Sequence, residues 1–194
     1  MESILSFFAE SFDLPILEWI AENLQCSFLD VLMPIITLLG DAGIFWIALS
    51  LLLLLLPKYR QIGLGMVFSL IMGLLLCNVI MKPLFARPRP YDYQLEHFGK
   101  VIPLLVEAHH DFSFPSGHTI ASFEAATVLL LGNRKLGIPA MILASCIAFS
   151  RLYLYVHYPT DVLSAIVLGI GIAFLAKCLA EKTTQFIRLR KSSV

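Results

Sequence analysis

Long apolar segments separated by short polar breaks constrain this chain more than any other feature of its sequence. The segment at residues 62–80 contains no charged side chain, and the segment at 162–180 contains only Lys177. A helix needs about 20 mostly apolar residues to cross a bilayer core. We therefore predict an all-α fold, a polytopic membrane bundle of six transmembrane helices. The predicted spans are residues 28–39, 43–56, 62–80, 119–131, 136–156 and 162–180.

The composition agrees with a chain that faces lipid. Only 14% of the 194 residues are charged, whereas a soluble domain carries about a quarter. The formal net charge is zero, which gives no indication of a nucleic-acid partner. The four cysteines are far apart and lack a C-x-x-C spacing, which favours buried apolar side chains over a metal or disulfide role. We predict one membrane-embedded domain over residues 1–194.

An amphipathic pattern precedes the first predicted span. Apolar residues recur there at near-helical spacing, opposite Glu18 and Glu22. This pattern predicts an interfacial helix with Trp19 as its anchor, and an ordinary packed helix is the alternative. The apolar positions are Ile16, Leu17, Trp19, Ile20 and Leu24.

The basic residues predict how the chain is oriented. Pairs of them follow the second and fourth predicted spans, and more lie in and after the sixth. Short basic loops stay in the cytoplasm. This predicts a cell-membrane protein with cytoplasmic termini and with residues 82–117 and 153–161 on the extracytoplasmic side. The basic residues are Lys58, Arg60, Arg134, Lys135, Lys177, Lys182, Arg188, Arg190 and Lys191.

The first polar segment of interest, residues 82–90, has Lys82 at one end and Arg89 near the other. It contains three prolines, which reduce the entropy lost when both cations are held near one anion. The alternative is a basic cluster that anchors lipid headgroups beside the membrane. Taken alone, the segment is more typical of this alternative.

The second segment is Pro115-Ser116-Gly117-His118, which leads directly into the fourth predicted span. A turn that enters a helix offers free backbone N–H groups and the positive end of the helix dipole, both of which favour anions. His118 can donate a proton to a leaving oxygen. The alternative is helix capping by Ser116, with His118 as an interfacial ring.

The third segment contains Ser150, Arg151, His157 and Asp161. If Pro159 opens a helix, Asp161 can lie beside His157 four residues earlier. A carboxylate that binds one imidazole nitrogen fixes the tautomer and leaves the other nitrogen as a nucleophile. The alternative is a snorkelling arginine beside a structural His–Asp pair.

Together the three segments fulfil the requirements of phosphoryl transfer. Cations neutralise the phosphoryl oxygens, one histidine attacks, and the other protonates the leaving group. The sequence contains no D-x-D, H-E-x-x-H or P-loop motif, so we predict neither a metal nor a cofactor. The predicted substrate is a lipid phosphate that reaches the site from the membrane.

The spacing K-x6-R-P, P-S-G-H and S-R-x5-H-x3-D resembles the signature of the type 2 phosphatidic acid phosphatase superfamily, which also includes vanadium-dependent haloperoxidases. The resemblance covers residues 82–161 and implies activity without magnesium and inhibition by vanadate. Every signature position is filled: Lys82, Arg89, Pro90, Pro115, Ser116, Gly117, His118, Ser150, Arg151, His157 and Asp161.

The resemblance also implies a role for each residue. His157 would attack phosphorus and form a phosphohistidine, with Asp161 orienting its ring. His118 would protonate the leaving group and then activate water. The phosphoryl oxygens would be bound by Lys82, Arg89, Ser116, Gly117 and Arg151.

The size of the chain makes it similar to bacterial undecaprenyl diphosphate phosphatases, and undecaprenyl diphosphate is the substrate we expect. Phosphatidylglycerophosphate and phosphatidic acid are the alternatives. A phosphotransferase that passes the phosphoryl group to another acceptor would use the same residues. A non-catalytic lipid-binding module would not require both histidines.

Several polar residues lie outside the signature. His109 and His110 are expected to be solvated loop residues, as loop residues usually are. Arg87 and Asp111 are expected either to contact the substrate's second phosphate or headgroup or to be solvated loop residues. Glu124 lies within the fourth predicted span, where it is either protonated or paired with a polar group such as Asn78.

Overall fold

A computed structural model of the chain describes residues 2–192, and these residues form helices and connections without a β-strand. The all-α prediction is confirmed. The α-helices are α1 (Glu2–Phe8), α2 (Leu14–Leu24), α3 (Ser27–Leu38), α4 (Ile44–Leu55), α5 (Arg60–Leu74), α6 (Lys82–Phe85), α7 (Pro90–Phe98), α8 (Gly117–Gly132), α9 (Arg134–Tyr153) and α10 (Pro159–Ser192).

Local sequence sets several helix boundaries. Asn133 separates α8 from α9, and its side-chain oxygen accepts hydrogen bonds from the backbone of Lys135 at 3.0 Å and Leu136 at 3.3 Å. This is the role of an N-cap residue. Pro159 begins α10, where its missing N–H has no cost. The prediction that Pro159 opens a helix is confirmed.

The core of the bundle lies between α4, α5, α8, α9 and α10. Small residues of α10 allow close packing: Ala165 and Ala173 are fully buried. A Cβ placed on Gly169 would lie 3.1 Å from the backbone of α8. The structure therefore confirms that Ala165, Gly169 and Ala173 are packing residues.

The structure does not confirm the six membrane crossings predicted from the sequence. Three helical stretches of the described chain are long and apolar enough to cross a membrane: Arg60–Phe98, Arg134–Tyr153 and Pro159–Ile187. The fourth candidate is a pair, Ser27–Leu38 with Asp41–Leu55, whose axes differ by 40°. The six-span count is therefore not confirmed: two predicted spans form one bent unit, and α8, with 16 residues, is not among these stretches.

The N-terminal helices pack on the protein. Leu17 and Ile20 of α2 are buried, whereas Trp19 is 56% exposed. Asp13 forms an ion pair with Arg87 at 2.7 Å. This burial favours the packed-helix alternative for α2, and the interfacial helix is not confirmed.

The two ends of the chain lie at opposite ends of the bundle. Glu18 of α2 pairs at 2.8 Å with Lys100, in the connection that leads to α8. At the other end, Lys177 of α10 lies beside Gly65 of α5. The prediction of two cytoplasmic termini counts α3 and α4 as two crossings; counted as one bent unit, they place the termini on opposite sides of the membrane.

Glycine is required where α9 begins against α8. A Cβ on Gly137 would clash with the backbone of Leu130, whereas a Cβ on Gly171 of α10 would meet no atom within 4 Å. We expect Gly137→Ala to lower the free energy of unfolding by about 1–3 kcal/mol, as overpacking does. Equilibrium unfolding in mixed micelles measures this loss. Gly171→Ala is the matched control, and an equal loss in both variants would contradict the prediction.

Candidate active site

The three polar segments predicted from the sequence meet at one end of the bundle, around a cavity of about 620 Å³. Ser116 and Asp161 are fully buried beside the cavity and do not line its wall. The other six predicted site residues line it: Lys82, Arg89, Gly117, His118, Arg151 and His157.

His157 lies between a carboxylate and a cation. Its Nδ1 atom is 3.5 Å from Oδ2 of Asp161, and its Nε2 atom is 3.4 Å from Nη1 of Arg89. Burial, together with the charges of Arg89 and Arg151, holds the pKa of His157 well below its usual range. Burial thus disfavours the charged imidazolium, and when Nδ1 carries the proton toward Asp161 the Nε2 lone pair faces Arg89 and the cavity.

The turn between α9 and α10 creates this geometry. The helix α9 ends at Tyr153, and Tyr155 adopts a left-handed conformation with φ of 60°. Asp161, in the first turn of α10, accepts a hydrogen bond at 3.0 Å from the backbone N–H of Tyr158. A carboxylate at this position is stabilised by the helix dipole.

Lys82 and Arg89 converge on the carboxylate of Asp111. Lys82 forms an ion pair with it. Arg89 pairs with it at 2.5 Å and also donates from Nε to the Asp111 carbonyl at 2.9 Å. Although burial opposes the effect, hydrogen bonds from Lys82 and Arg89 hold the pKa of Asp111 well below its usual range. The sequence predicted that both cations converge on one anion. In the structure this anion is the carboxylate of Asp111, a residue of the protein itself.

Arg151 is the third cation at the cavity and is 1% exposed. Its Nη1 donates to Oγ1 of Thr37 at 2.6 Å, and its Nη2 lies 2.7 Å from Nε2 of His109. Its Nε has no hydrogen-bond partner among the described residues. The guanidinium is therefore held by Thr37 of α3 and by His109 of the connection before α8, while its Nε–H has no partner in the described part of the chain.

His118 and Ser116 lie at the start of α8. The Nε2 atom of His118 is 3.9 Å from the Asp41 carboxylate, which belongs to the break between α3 and α4. Ser116 occupies the N-cap position without a side-chain hydrogen bond to the backbone; its hydroxyl accepts from Thr119 at 2.9 Å. The Ser116 hydroxyl therefore does not cap α8, and the capping alternative is not confirmed.

A connecting segment before α8 supplies site residues that the sequence interpretation did not assign. His109 contacts Arg151, Asp111 contacts the other two cations, and Ser113 donates to Asp161. The prediction of a solvated His109 is wrong: burial, then Arg89 and Arg151, lowers its pKa to about 4. His110 is exposed, as predicted. No local pattern in the sequence distinguishes His109 and Asp111 from the exposed His110.

Arg87 is also part of the site, behind Asp161. It is 2% exposed and donates to Asp161 Oδ1 at 2.5 Å. Its other nitrogen donates to Asp13 at 2.7 Å. No pattern in the sequence indicates that Asp13 lies here.

Glu124 also lines this cavity. It is 1% exposed, and neither carboxyl oxygen has a hydrogen-bond partner among residues 2–192. The proposed pairing with Asn78 is therefore not found. Within the described residues, no group of three or more His, Cys, Asp or Glu side chains is arranged to hold a metal ion.

Known proteins resemble this chain over the region that contains the site. The sequence profile of the PAP2 superfamily matches residues 62–185. An undecaprenyl-diphosphatase from Sulfolobus acidocaldarius is 33% identical over 153 residues, 78% of this chain and 71% of the relative. Undecaprenyl-diphosphatase BcrC from Bacillus subtilis is 32% identical over 165 residues, 84% and 81% of the two chains.

A solved structure has the same arrangement of helices. The transmembrane PAP2-type phosphatidylglycerolphosphate phosphatase from Bacillus subtilis aligns with a TM-score of 0.69 and 26% identity. The alignment covers 94% of this chain and 88% of that chain. Both the sequence and the fold thus resemble membrane phosphatases.

Proposed function

This chain belongs to the PAP2 superfamily and is a membrane lipid phosphatase, and we propose that it hydrolyses undecaprenyl diphosphate through a phosphohistidine at His157. One observation carries the proposal: the buried His157 ring has Asp161 on one nitrogen and Arg89 and the cavity on the other. The names of two relatives support the choice of lipid.

The first step is attack on the terminal phosphorus. Lys82, Arg89 and Arg151, with Ser116 and the N-terminus of α8 at Gly117, bind the phosphoryl oxygens and neutralise their charge. Nε2 of His157 then forms a bond to phosphorus while the bond to the leaving oxygen breaks. Asp161 stabilises the positive charge that develops on the imidazole.

His118 and water complete the reaction. The negative charge of the bound diphosphate favours the protonated form of His118, which donates its proton to the leaving oxygen and so releases the lipid monophosphate. The neutral His118 then accepts a proton from water as this water attacks the phosphohistidine. Inorganic phosphate leaves, and both histidines return to their starting protonation states. No step requires a metal.

Phosphate release from purified protein in detergent tests the substrate. We expect the highest kcat/KM with undecaprenyl diphosphate, lower values with phosphatidylglycerophosphate and phosphatidic acid, and no loss of activity in EDTA. Release without an added acceptor would argue against a phosphotransferase. A clear preference for phosphatidylglycerophosphate would overturn the choice of lipid, and strong EDTA sensitivity would overturn the metal-free mechanism.

We further propose that residues 1–194 form one domain with its active site on the extracytoplasmic face of the cell membrane. The bent α3–α4 unit, α5, α8, α9 and α10 then cross the membrane, so that the N-terminus is outside and the C-terminus is cytoplasmic. Lys58 and Arg134, in basic connections at the end away from the cavity, support this orientation.

Labelling with a membrane-impermeant maleimide tests the orientation. In a variant without native cysteines, we expect Lys100→Cys to react in intact cells and Lys58→Cys to react only after lysis. The reverse pattern would place the active site in the cytoplasm.

Asp111 competes with the substrate for Lys82 and Arg89. Because Asp111 is 53% exposed, its ion pairs contribute at most about 1 kcal/mol, or about fivefold in affinity. We therefore expect Asp111→Asn to bind inorganic phosphate about two- to fivefold more tightly, measured as a lower inhibition constant. Weaker binding would show that Asp111 positions the two cations instead.

A further inference from the structure

We propose that Asp13 and Arg87 are positioning residues for the nucleophile, acting on His157 through the carboxylate of Asp161. This inference rests on the proposed role of His157. It assigns a catalytic purpose to the N-terminal segment, which lies outside the three signature segments.

The guanidinium of Arg87 lies between two buried carboxylates. Nη1 is 2.5 Å from Oδ1 of Asp161, and Nη2 is 2.7 Å from Oδ2 of Asp13. The side chains of Asp13 and Asp161 are 0% exposed and that of Arg87 is 2% exposed. The guanidinium also stacks on the Tyr158 ring, with its carbon 3.7 Å from the ring centroid.

Asp13 is fixed to the same turn by two further contacts. Its Oδ1 accepts from the backbone N–H of Thr160 at 2.8 Å, and its Oδ2 accepts from the Thr160 hydroxyl at 2.7 Å. Thr160 precedes Asp161 in the chain. The N-terminal segment is therefore bound to the first turn of α10, at the point where that turn holds Asp161.

These contacts divide the oxygens of Asp161 between two tasks. Oδ1 accepts from Arg87. Oδ2 accepts from Ser113 and from the backbone of Tyr158 and faces His157. Arg87 thus prevents rotation of the carboxylate away from His157, because rotation would break a short buried ion pair.

The charges of the group have a second effect. Two carboxylates and one guanidinium give a net charge of −1 beside His157, which becomes positively charged as it attacks phosphorus. When Asp13 is replaced by a neutral residue, the positive charge of Arg87 is balanced by Asp161 alone. Less negative charge then remains to stabilise the imidazolium of His157. The phosphate-binding cations are not touched by this change, so it affects kcat and leaves phosphate binding intact.

A neighbouring ion pair provides a matched control. Glu18 and Lys100 also join the N-terminal helices to the connection before α8, at 2.8 Å. Their side chains are 41% and 51% exposed, and neither contacts Asp161. Glu18→Gln therefore removes an N-terminal ion pair without altering the positioning of the nucleophile.

The experiment compares Asp13→Asn, Asp13→Glu and Glu18→Gln in the full-length protein. Outer partners of metal-bound histidines contribute about 10–100-fold to activity, and we expect a loss of kcat of the same size in Asp13→Asn. KM and the inhibition constant for inorganic phosphate should stay at wild-type values. Asp13→Glu, which keeps the charge, should recover part of kcat, and Glu18→Gln should retain all of it.

A double-mutant cycle tests the route of the effect. If Arg87 acts through Asp161, Arg87→Lys should lower kcat strongly in the wild-type background and hardly at all in Asp161→Asn, because the two residues are coupled. Losses that multiply in the double variant would overturn the proposal. Equal kcat in Asp13→Asn and Glu18→Gln would also overturn it.

Failure of this inference can be distinguished from failure of the proposed function. If His157→Ala retains activity, the phosphohistidine mechanism is wrong, whatever Asp13→Asn does. If His157→Ala is inactive and Asp13→Asn has wild-type kcat, only the positioning role is wrong. An unfolding titration of each variant identifies a purely structural loss, which would lower the amount of folded protein and leave the kcat of the folded fraction unchanged.

Discussion

His157→Ala is expected to lower the rate of phosphate release by about 10⁴-fold or more, as loss of a nucleophile in a concerted site does. The remaining groups can still bind the phosphoryl oxygens, but no neutral Nε2 faces the cavity to attack phosphorus. Binding of inorganic phosphate should survive, because Lys82 and Arg151 remain. The measurement is kcat in detergent with the lipid diphosphate.

A chemical trap strengthens this test. Rapid denaturation of the wild-type enzyme during turnover with radiolabelled substrate should leave an acid-labile label on the protein, and His157→Ala should show none. His110→Ala is the matched control, because His110 is an exposed histidine in the connection before α8. Retained activity in His157→Ala, or an equal loss in His110→Ala, would refute the assignment of the nucleophile.

His118→Gln is expected to lower kcat by about 10²- to 10⁴-fold, the usual contribution of general acid–base catalysis. The loss should depend on the leaving group. From a lipid monophosphate such as phosphatidic acid the leaving group is an alkoxide that needs a proton, whereas an aryl phosphate releases a stable phenoxide. The first step should therefore be impaired much less with an aryl phosphate, as measured by the burst of phenol in single-turnover experiments.

The control for His118 is His97→Gln. His97 lies on α7 with its Nδ1 atom 3.2 Å from the carbonyl of Tyr93, and it does not line the cavity. We expect wild-type rates with both substrates in this variant. An equal loss with lipid and aryl phosphates in His118→Gln would mean that His118 binds the phosphoryl group and does not protonate the leaving oxygen.

Much of the candidate site was predictable because its residues lie close together in the chain. His157 and Asp161 are four residues apart across a helix start, and Ser116, Gly117 and His118 are consecutive. Local geometry of this kind follows from short-range rules for turns and helix termini. The convergence of Lys82, Arg89 and Arg151 at one cavity was predicted from the chemistry that they share.

The connection before α8 was harder to interpret because it has no regular secondary structure. His109 and Asp111 have the composition of a solvated loop, and nothing local distinguishes them from His110. Their contacts depend on where Lys82, Arg89 and Arg151 lie in the folded chain. Such contacts between distant segments are not encoded in a pattern of spacing.

The sequence by itself determined that this chain is an all-α membrane protein with a phosphate site, because hydropathy and short motifs are local properties. Only the tertiary structure decided the path of the N-terminal half. It turned two predicted spans into one bent unit, α3–α4, and it brought Asp13 to Arg87 and Asp161 across more than 70 residues. The physical reason is that a buried charge needs a partner. Packing of the folded chain decides which residue becomes that partner, and no local pattern in the sequence identifies it.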